Sequence, residues 1–319
     1  MWEKHKLSEA QLEAYEADGF LDAIPCLCPA QLERLRGDLV ELSDPDHPAN
    51  ALWHEFHSNE APAESGTVLM HALGAWRISE AFHDLLFHPA LLVPAIQAMG
   101  LCDKRGVRLL HDQLFCKPAR AGAVVAWHQD LSYWTRFSPS AFLTVHVALD
   151  DQSSENGALH YVAGSHRWPL LPVTSRHFGD MESIRSVLDR EQAAQLDACR
   201  CVRLRAGQVS IHHPLSVHGS FGNRSAGPRR AAVVNLAADG VVINTSRGPV
   251  LSGAPDLPKG TPLGGFLHPL LGSMPAGAQA TAAPPCSVAK HYPATDAWAD
   301  EDEDEDASAG QVAAPGADA

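Results

Sequence analysis

Apolar positions change their period part-way along the chain. In the first hundred residues they recur at helical spacing. Leu32, Leu35, Leu39 and Leu42 form one stripe behind Pro29, which suits a first helical turn. Ser8 and Gln11 make a capping box ahead of Leu12 and Tyr15, and Asp18-Gly19 ends that helix. Two more helices are predicted over 76–86 and 89–99, the second opened by Pro89 and stopped by Gly100. Residues 43–66, polar and proline-containing, are predicted as a loop. From Val107 the pattern becomes short apolar runs between turn residues. It predicts strands over 107–116, 142–149, 158–162, 201–205, 208–213 and 230–236. Asn156-Gly157 predicts a hairpin that returns through 158–162, and Ala206-Gly207 joins the next two strands. Residues 167–200 interrupt the strands. Within them 181–196 is helical in pattern and long enough to lie over an open end as a lid.

The expected fold is therefore mainly β with flanking α, a sandwich or barrel in one domain over 1–270. Its parts are a helical portion 1–100, a β core from about 105 to 250, and the 167–200 insertion. Residues 271–319 are rich in Pro, Ala and Gly and then acidic, with disorder expected at least from 296. Composition alters the picture only there. The net charge is −14, but 296–319 hold nine acidic residues and no basic one, which leaves about −5 for the rest. A nucleic-acid-binding surface is not expected from that balance. No apolar run reaches membrane-spanning length, and Met1 to Lys6 is not followed by an apolar signal segment; a cytoplasmic protein is expected. Seven cysteines, with no C-x-x-C pair, read as reduced thiols.

Candidate chemistry centres on Trp127-His128-Gln129-Asp130. His128 and Asp130 are two apart, so extended backbone sends both side chains from one face. No other His in the chain has an acidic residue two positions on. A second imidazole from His218 would complete two histidines and one carboxylate, a set that holds Fe(II) on one face and leaves the other open. His212 and His213 are nearby rivals for that imidazole. Arg229 and Arg230 both precede an apolar run, and in a strand only one of them can face inward.

With these residues in place the chain resembles the phytanoyl-CoA dioxygenase family of Fe(II)/2-oxoglutarate oxygenases. The resemblance runs from Leu7-Ser8 to about Asn235. It is carried by Asp18-Gly19-Phe20, Trp127-His128-Gln129-Asp130, Ala148-Leu149-Asp150-Asp151, Glu155-Asn156-Gly157-Ala158-Leu159, Gly164-Ser165-His166, Ala206-Gly207, His218-Gly219-Ser220 and the stretch from Asn223 to Arg230. It implies a double-stranded β-helix, or jelly roll, with N-terminal helices. His128, Asp130 and His218 match the iron ligands, which are also the catalytic residues. Arg229 matches the residue that grips the distal carboxylate of 2-oxoglutarate. Gln129 and Ser220 match places where the family often sets further polar contacts to the co-substrate, or else each is a turn residue or a support behind the site. His146 stands where the family often has Trp on the co-substrate wall.

The cofactors implied are Fe(II), 2-oxoglutarate and O₂, with ascorbate as a candidate reductant. Asp130 is present, whereas related halogenases replace the carboxylate, so hydroxylation of an unactivated C–H in a small molecule is expected. Trp127, Tyr133, Trp134 and Phe137 suit an apolar or amphiphilic substrate, or else pack the rim. The alternatives are a jelly-roll binding or regulatory protein without turnover, and a metal-dependent isomerase or hydrolase on a cupin-like barrel.

Overall fold

The computed structural model describes residues 2–44, 46–101, 105–174, 179–246 and 248–273. The acidic tail, with the disorder expected of it, lies outside the described residues. In chain order the elements are α1 (Glu9–Asp18), β1 (Phe20–Pro25), α2 (Pro29–Leu42), β2 (Glu55–His57), β3 (Met70–Leu73), α3 (Glu80–Leu86) and α4 (Pro89–Ala98). Then follow β4 (Gly106–Lys117), β5 (Val125–His128), β6 (Phe137–Ser138), β7 (Phe142–Ala148), β8 (Leu159–Tyr161) and α5 (Arg190–Asp197). The last are β9 (Arg200–Cys201), β10 (Gln208–His212), β11 (His218–Ser220), β12 (Arg229–Ala238), β13 (Val242–Ile243) and β14 (Leu270–Ser273).

Two antiparallel sheets carry the architecture. The larger runs β1-β10-β7-β12-β4-β3-β2, with β14 added on β4, and the smaller runs β5-β11-β8-β9. The period of two along each central strand divides the larger sheet into an apolar face and a polar one. Val145 and Val147 of β7, Val209 and Ile211 of β10, and Ala232 and Val234 of β12 join one core with Leu35 and Leu39 of α2 and Leu91 and Leu92 of α4. The alternate residues, Thr144 and His146, His212, and Arg229, Val233 and Asn235, line a cavity on the opposite face. That face is covered by the smaller sheet, whose His128 and His218 line the same cavity.

The structure departs from the sequence pattern in four places. The turn at Asn156-Gly157 is not the bend of a hairpin. β7 is already flanked by β10 and β12 and has no free edge, so the chain crosses to the smaller sheet, where β8 pairs with β11 and β9. The N-terminal hundred residues are not only helical. β1 pairs with β10, and β3 pairs with β4, extending the larger sheet at both ends. The expected loop 43–66 contains β2. The helices over 76–86 and 181–196 are each broken by a cap. Ser79 accepts from Phe82 N (3.2 Å) and starts α3, and Asp189 accepts from Gln192 N (2.8 Å) and starts α5 after a 3-10 turn at Ser183–Val187.

Candidate metal and co-substrate site

His128 ends β5 and His218 opens β11. The two strands are antiparallel with these residues directly opposed, and the ring centroids lie 4.2 Å apart. Gln129 is still extended (φ −112°, ψ 129°), so Asp130 leaves on the same side as His128. Asp130 Oδ1 lies 3.4 Å from His128 Nε2 and 3.7 Å from His218 Nε2. Among the described residues these three form the cluster whose ligand atoms all lie within 4.8 Å of one another.

The backbone presets the donor atoms. His128 Nδ1 sits 2.8 Å from the Ala126 carbonyl and His218 Nδ1 sits 3.0 Å from that of Ser216. Each Nδ1–H donates to its carbonyl, leaving each Nε2 lone pair turned to the shared centre, as a metal requires. The carboxylate is held on its other oxygen. Asp130 Oδ2 accepts from Thr144 Oγ1 (2.6 Å) and His212 Nε2 (3.0 Å), and Tyr161 OH donates to His212 Nδ1 (2.9 Å). His212, a rival in the sequence, is therefore spent on orienting Asp130. His213 donates no side chain to the cluster.

Burial opposes the charge on Asp130. The neighbouring imidazoles of His218, His128 and His212 outweigh it, with His212 Nε2–H donating to Oδ2, and hold the carboxyl well below the usual carboxylate range. Burial, then His128 and His212, push His218 well below the usual imidazole range, so it is a neutral donor. Two neutral-capable imidazoles and an ionised carboxylate suit a divalent transition metal.

Arg229 lies on the same cavity and is 2 % exposed. Its Nη2 donates to the Gly157 carbonyl (2.8 Å), while its buried Nε has no partner among the described residues. Gly157 has a φ of +81°, and a Cβ there would stand 2.5 Å from the Phe221 carbonyl, so the Asn156-Gly157 turn requires glycine in order to bring that carbonyl to Arg229. Burial lowers the Arg229 pKa to about 10, which still leaves a cation at neutral pH. Arg230 points the other way, making a bidentate pair with Asp150 (2.9 and 2.7 Å). A buried guanidinium with an orphan N–H and no carboxylate paired with it among the described residues fits an anionic ligand.

The remaining candidates separate. Ser220 is on the cavity, and its Oγ accepts from Lys117 Nζ (2.6 Å), which also donates to the Phe221 carbonyl (2.7 Å). Lys117 is fully buried opposite Arg229 in the β4–β12 register, and burial and then Arg229 push its pKa well below the usual lysine range. Its sequence signal was weak, being one lysine before a proline. His146 also lines the cavity, with Nε2 3.0 Å from Gln152 Oε1. Burial, then Arg229, hold it neutral.

Gln129 is not brought to the cavity. Its amide donates to the Leu215 (3.0 Å) and Pro169 (3.3 Å) carbonyls and accepts from Leu171 N (2.8 Å), pinning the start of the 167–200 insertion beside β5. Leu171 and Ile184 of that insertion pack with Trp127, and Val173 reaches the cavity wall. Gln129→Ala is expected to cost about 1–3 kcal/mol of stability by stranding those groups, measured by urea unfolding. A changed 2-oxoglutarate requirement at unchanged stability would restore a co-substrate role.

The cavity measures about 660 Å³. Its walls include Phe115, Trp134, Phe137, Val233 and Leu251, with Tyr133 toward solvent.

Residues 15–231 match the model of the phytanoyl-CoA dioxygenase (PhyH) family. The chain belongs to that family. PhyH proteins are Fe/2-oxoglutarate-dependent oxygenases, and iron and 2-oxoglutarate are the family's usual cofactors. The chain is 27% identical over 253 residues to the L-proline trans-4-hydroxylase of Streptomyces griseoviridis, covering 74% of this chain and 87% of that one. It is 30% identical over 132 residues to the "Probable alpha-ketoglutarate-dependent hypophosphite dioxygenase" of Stutzerimonas stutzeri, a match spanning 41% of this chain and only 46% of that protein. The fold is similar to that of the non-heme α-ketoglutarate-dependent epimerase of nogalamycin biosynthesis, with a TM-score of 0.63, 24% identity, and 82% of this chain and 97% of that one covered. The two-sheet arrangement is thus the double-stranded β-helix of this PhyH protein's relatives. Among the described residues no helix is long and apolar enough to cross a membrane.

Proposed function

We propose that this PhyH-family chain hydroxylates an unactivated C–H bond of a small organic molecule, coupled to conversion of 2-oxoglutarate to succinate and CO₂. One observation carries the reading. A His-Asp-His cluster with both Nε2 atoms and Asp130 Oδ1 turned inward shares a cavity with a buried arginine that no carboxylate among the described residues pairs with. In this reading His128, Asp130 and His218 hold Fe(II), and Arg229 takes the distal carboxylate of 2-oxoglutarate. Bound iron and 2-oxoglutarate together supply, with O₂, the oxidising power for the C–H bond.

The chain's own residues do the rest. Thr144 and His212 fix one carboxylate oxygen, so that Asp130 offers the other. Lys117 holds Ser220 against the co-substrate end, and neutral His146 walls it without competing for the carboxylate. Phe115, Trp134, Phe137 and Val233 exclude water from the substrate side, which strengthens each polar contact within. The aspartate at the third ligand position and the hydroxylase relative, covered over most of its length, both support hydroxylation over other outcomes.

The test is an anaerobic titration with Fe(II) and then 2-oxoglutarate, read by the weak visible charge-transfer band of the chelate, followed by succinate release in air with ascorbate. One iron per chain and a band that appears only with 2-oxoglutarate are expected. Iron binding with no response to 2-oxoglutarate would sink the oxygenase reading. A product lacking the mass of an added oxygen atom would sink hydroxylation alone.

A further inference from the structure

The cavity has a second polar end. Glu60 and His71 line it, with Glu55 beside them. An unbroken hydrogen-bonded row connects this end to the metal cluster: Asp130–Thr144 (2.6 Å), Thr144–Asn235 (2.9 Å), Asn235–Gln113 (2.8 Å), Gln113–His71 (2.8 Å) and His71–Glu60 (3.2 Å).

The row has one direction. An ionised Asp130 only accepts, so the Thr144 hydroxyl points at it. Thr144 Oγ1 must then accept from Asn235 Nδ2, which turns Asn235 Oδ1 to Gln113 Nε2. Gln113 Oε1 in turn faces His71 Nε2, which must carry a proton. His71 Nδ1 meets Glu60 Oε1. The hydrogen bond from His71 keeps the Glu60 carboxyl below its ordinary range, with burial opposing. His57 Nε2 approaches the same oxygen at 3.6 Å and Glu55 Oε2 at 3.9 Å. Glu60 Oε2 has no hydrogen bond or ion pair among the described residues. Its side chain is 21% exposed, whereas that of Glu55 is 44% exposed at the rim.

Two carboxylates, Glu60 and Glu55, stand at this end beside the imidazoles of His71 and His57. Two guanidiniums also reach the cavity: Arg229 at the co-substrate end, and Arg136, whose two Nη atoms donate to the Pro249 and Gly248 carbonyls. The adjoining walls are aromatic. Phe115 stacks on His71 at 4.5 Å, and Tyr133 and Trp134 line the same space, surfaces that accept cations.

We propose that the substrate carries a protonated amine and that Glu60 Oε2 receives one of its N–H groups, with Glu55 adding to the field at the rim. This names the substrate class and rests on reading the cavity as the substrate chamber of the oxygenase. The row of hydrogen bonds holds His71 in place, so the anchor is rigid before substrate arrives.

The test uses full-length protein under anaerobic conditions, with Fe(II) and 2-oxoglutarate bound. The probes share one hexyl chain: hexylammonium, hexanoate and 1-hexanol, each titrated by ligand-observed NMR. Hexylammonium should bind at least about tenfold more tightly than the other two. Glu60→Gln should weaken it by about tenfold or more, the range for a hydrogen bond to a charged group, and Glu55→Gln by less. Circular dichroism of both variants checks the fold. Equal binding of hexanoate or hexanol, no binding of hexylammonium, or wild-type affinity in folded Glu60→Gln would each overturn the proposal. The same titration on metal-free protein separates the two readings. A protein that ignores iron and 2-oxoglutarate yet still prefers hexylammonium through Glu60 would lose the function and keep the amine site.

Discussion

Asp130→Ala is expected to remove stoichiometric Fe(II) binding and all turnover. The carboxylate is the anionic member of the cluster, and its Oδ1 faces both imidazoles at 3.4 and 3.7 Å. Without it, two neutral nitrogens remain, a poor set for a divalent ion at micromolar concentration. The substitution also strands the Thr144 hydroxyl and His212 Nε2–H, which both donate to Oδ2. The loss should therefore exceed the roughly 10–100-fold seen when only an outer hydrogen-bond partner of a ligand is removed. Thr144→Val supplies that contrast, since it removes one partner of Asp130 and leaves all three ligands. Isothermal titration with Fe(II) under argon orders the three proteins. Wild-type affinity in Asp130→Ala would show that the metal, if any, lies elsewhere.

Arg229→Ala should raise the 2-oxoglutarate requirement by roughly 30- to 5,000-fold while iron binding survives. The range follows from about 2–5 kcal/mol for deleting one half of a buried charged pair. Arg229 is suited to so large an effect because it is buried and, among the described residues, its Nε has no partner and its Nη2 has Gly157 O alone. Arg229→Lys should restore part of the charge without the planar fork. Arg230→Ala should leave the requirement near wild type, because that guanidinium is paired with Asp150 on the other face of β12. The charge-transfer titration measures all three. Unchanged 2-oxoglutarate dependence in Arg229→Ala would remove the co-substrate from this cavity.

Local signals were enough for much of the scaffold. The leucine stripe of α2, the Ser8–Gln11 cap of α1 and the apolar runs of β4, β7, β10 and β12 stand close to where the pattern predicts them, since periodicity and capping depend on neighbours in sequence. The H-x-D pair was legible for the same reason. Extended backbone through Gln129 places His128 and Asp130 on one side whatever the rest of the chain does.

What crosses between sheets was not legible. Asn156-Gly157 makes a turn in either case, but whether it closes a hairpin depends on β7 having a free edge, and β10 and β12 occupy both. β1 and β3 are strands because β10 and β4 offer them edges. Gln129 sits inside the metal motif, yet the contacts available at Pro169, Leu171 and Leu215 draw its amide away from the cavity. Lys117, His212, Thr144 and Asn235 carry no motif. Thr144, His212 and Asn235 serve the site because alternate positions on three strands of the larger sheet converge on one cavity, and Lys117 reaches it through Ser220. The sequence by itself determined the side from which each strand residue leaves its own backbone. The tertiary structure decided which of those sides face each other, because strand pairing and sheet stacking set distances between residues far apart in the chain, which no local spacing encodes.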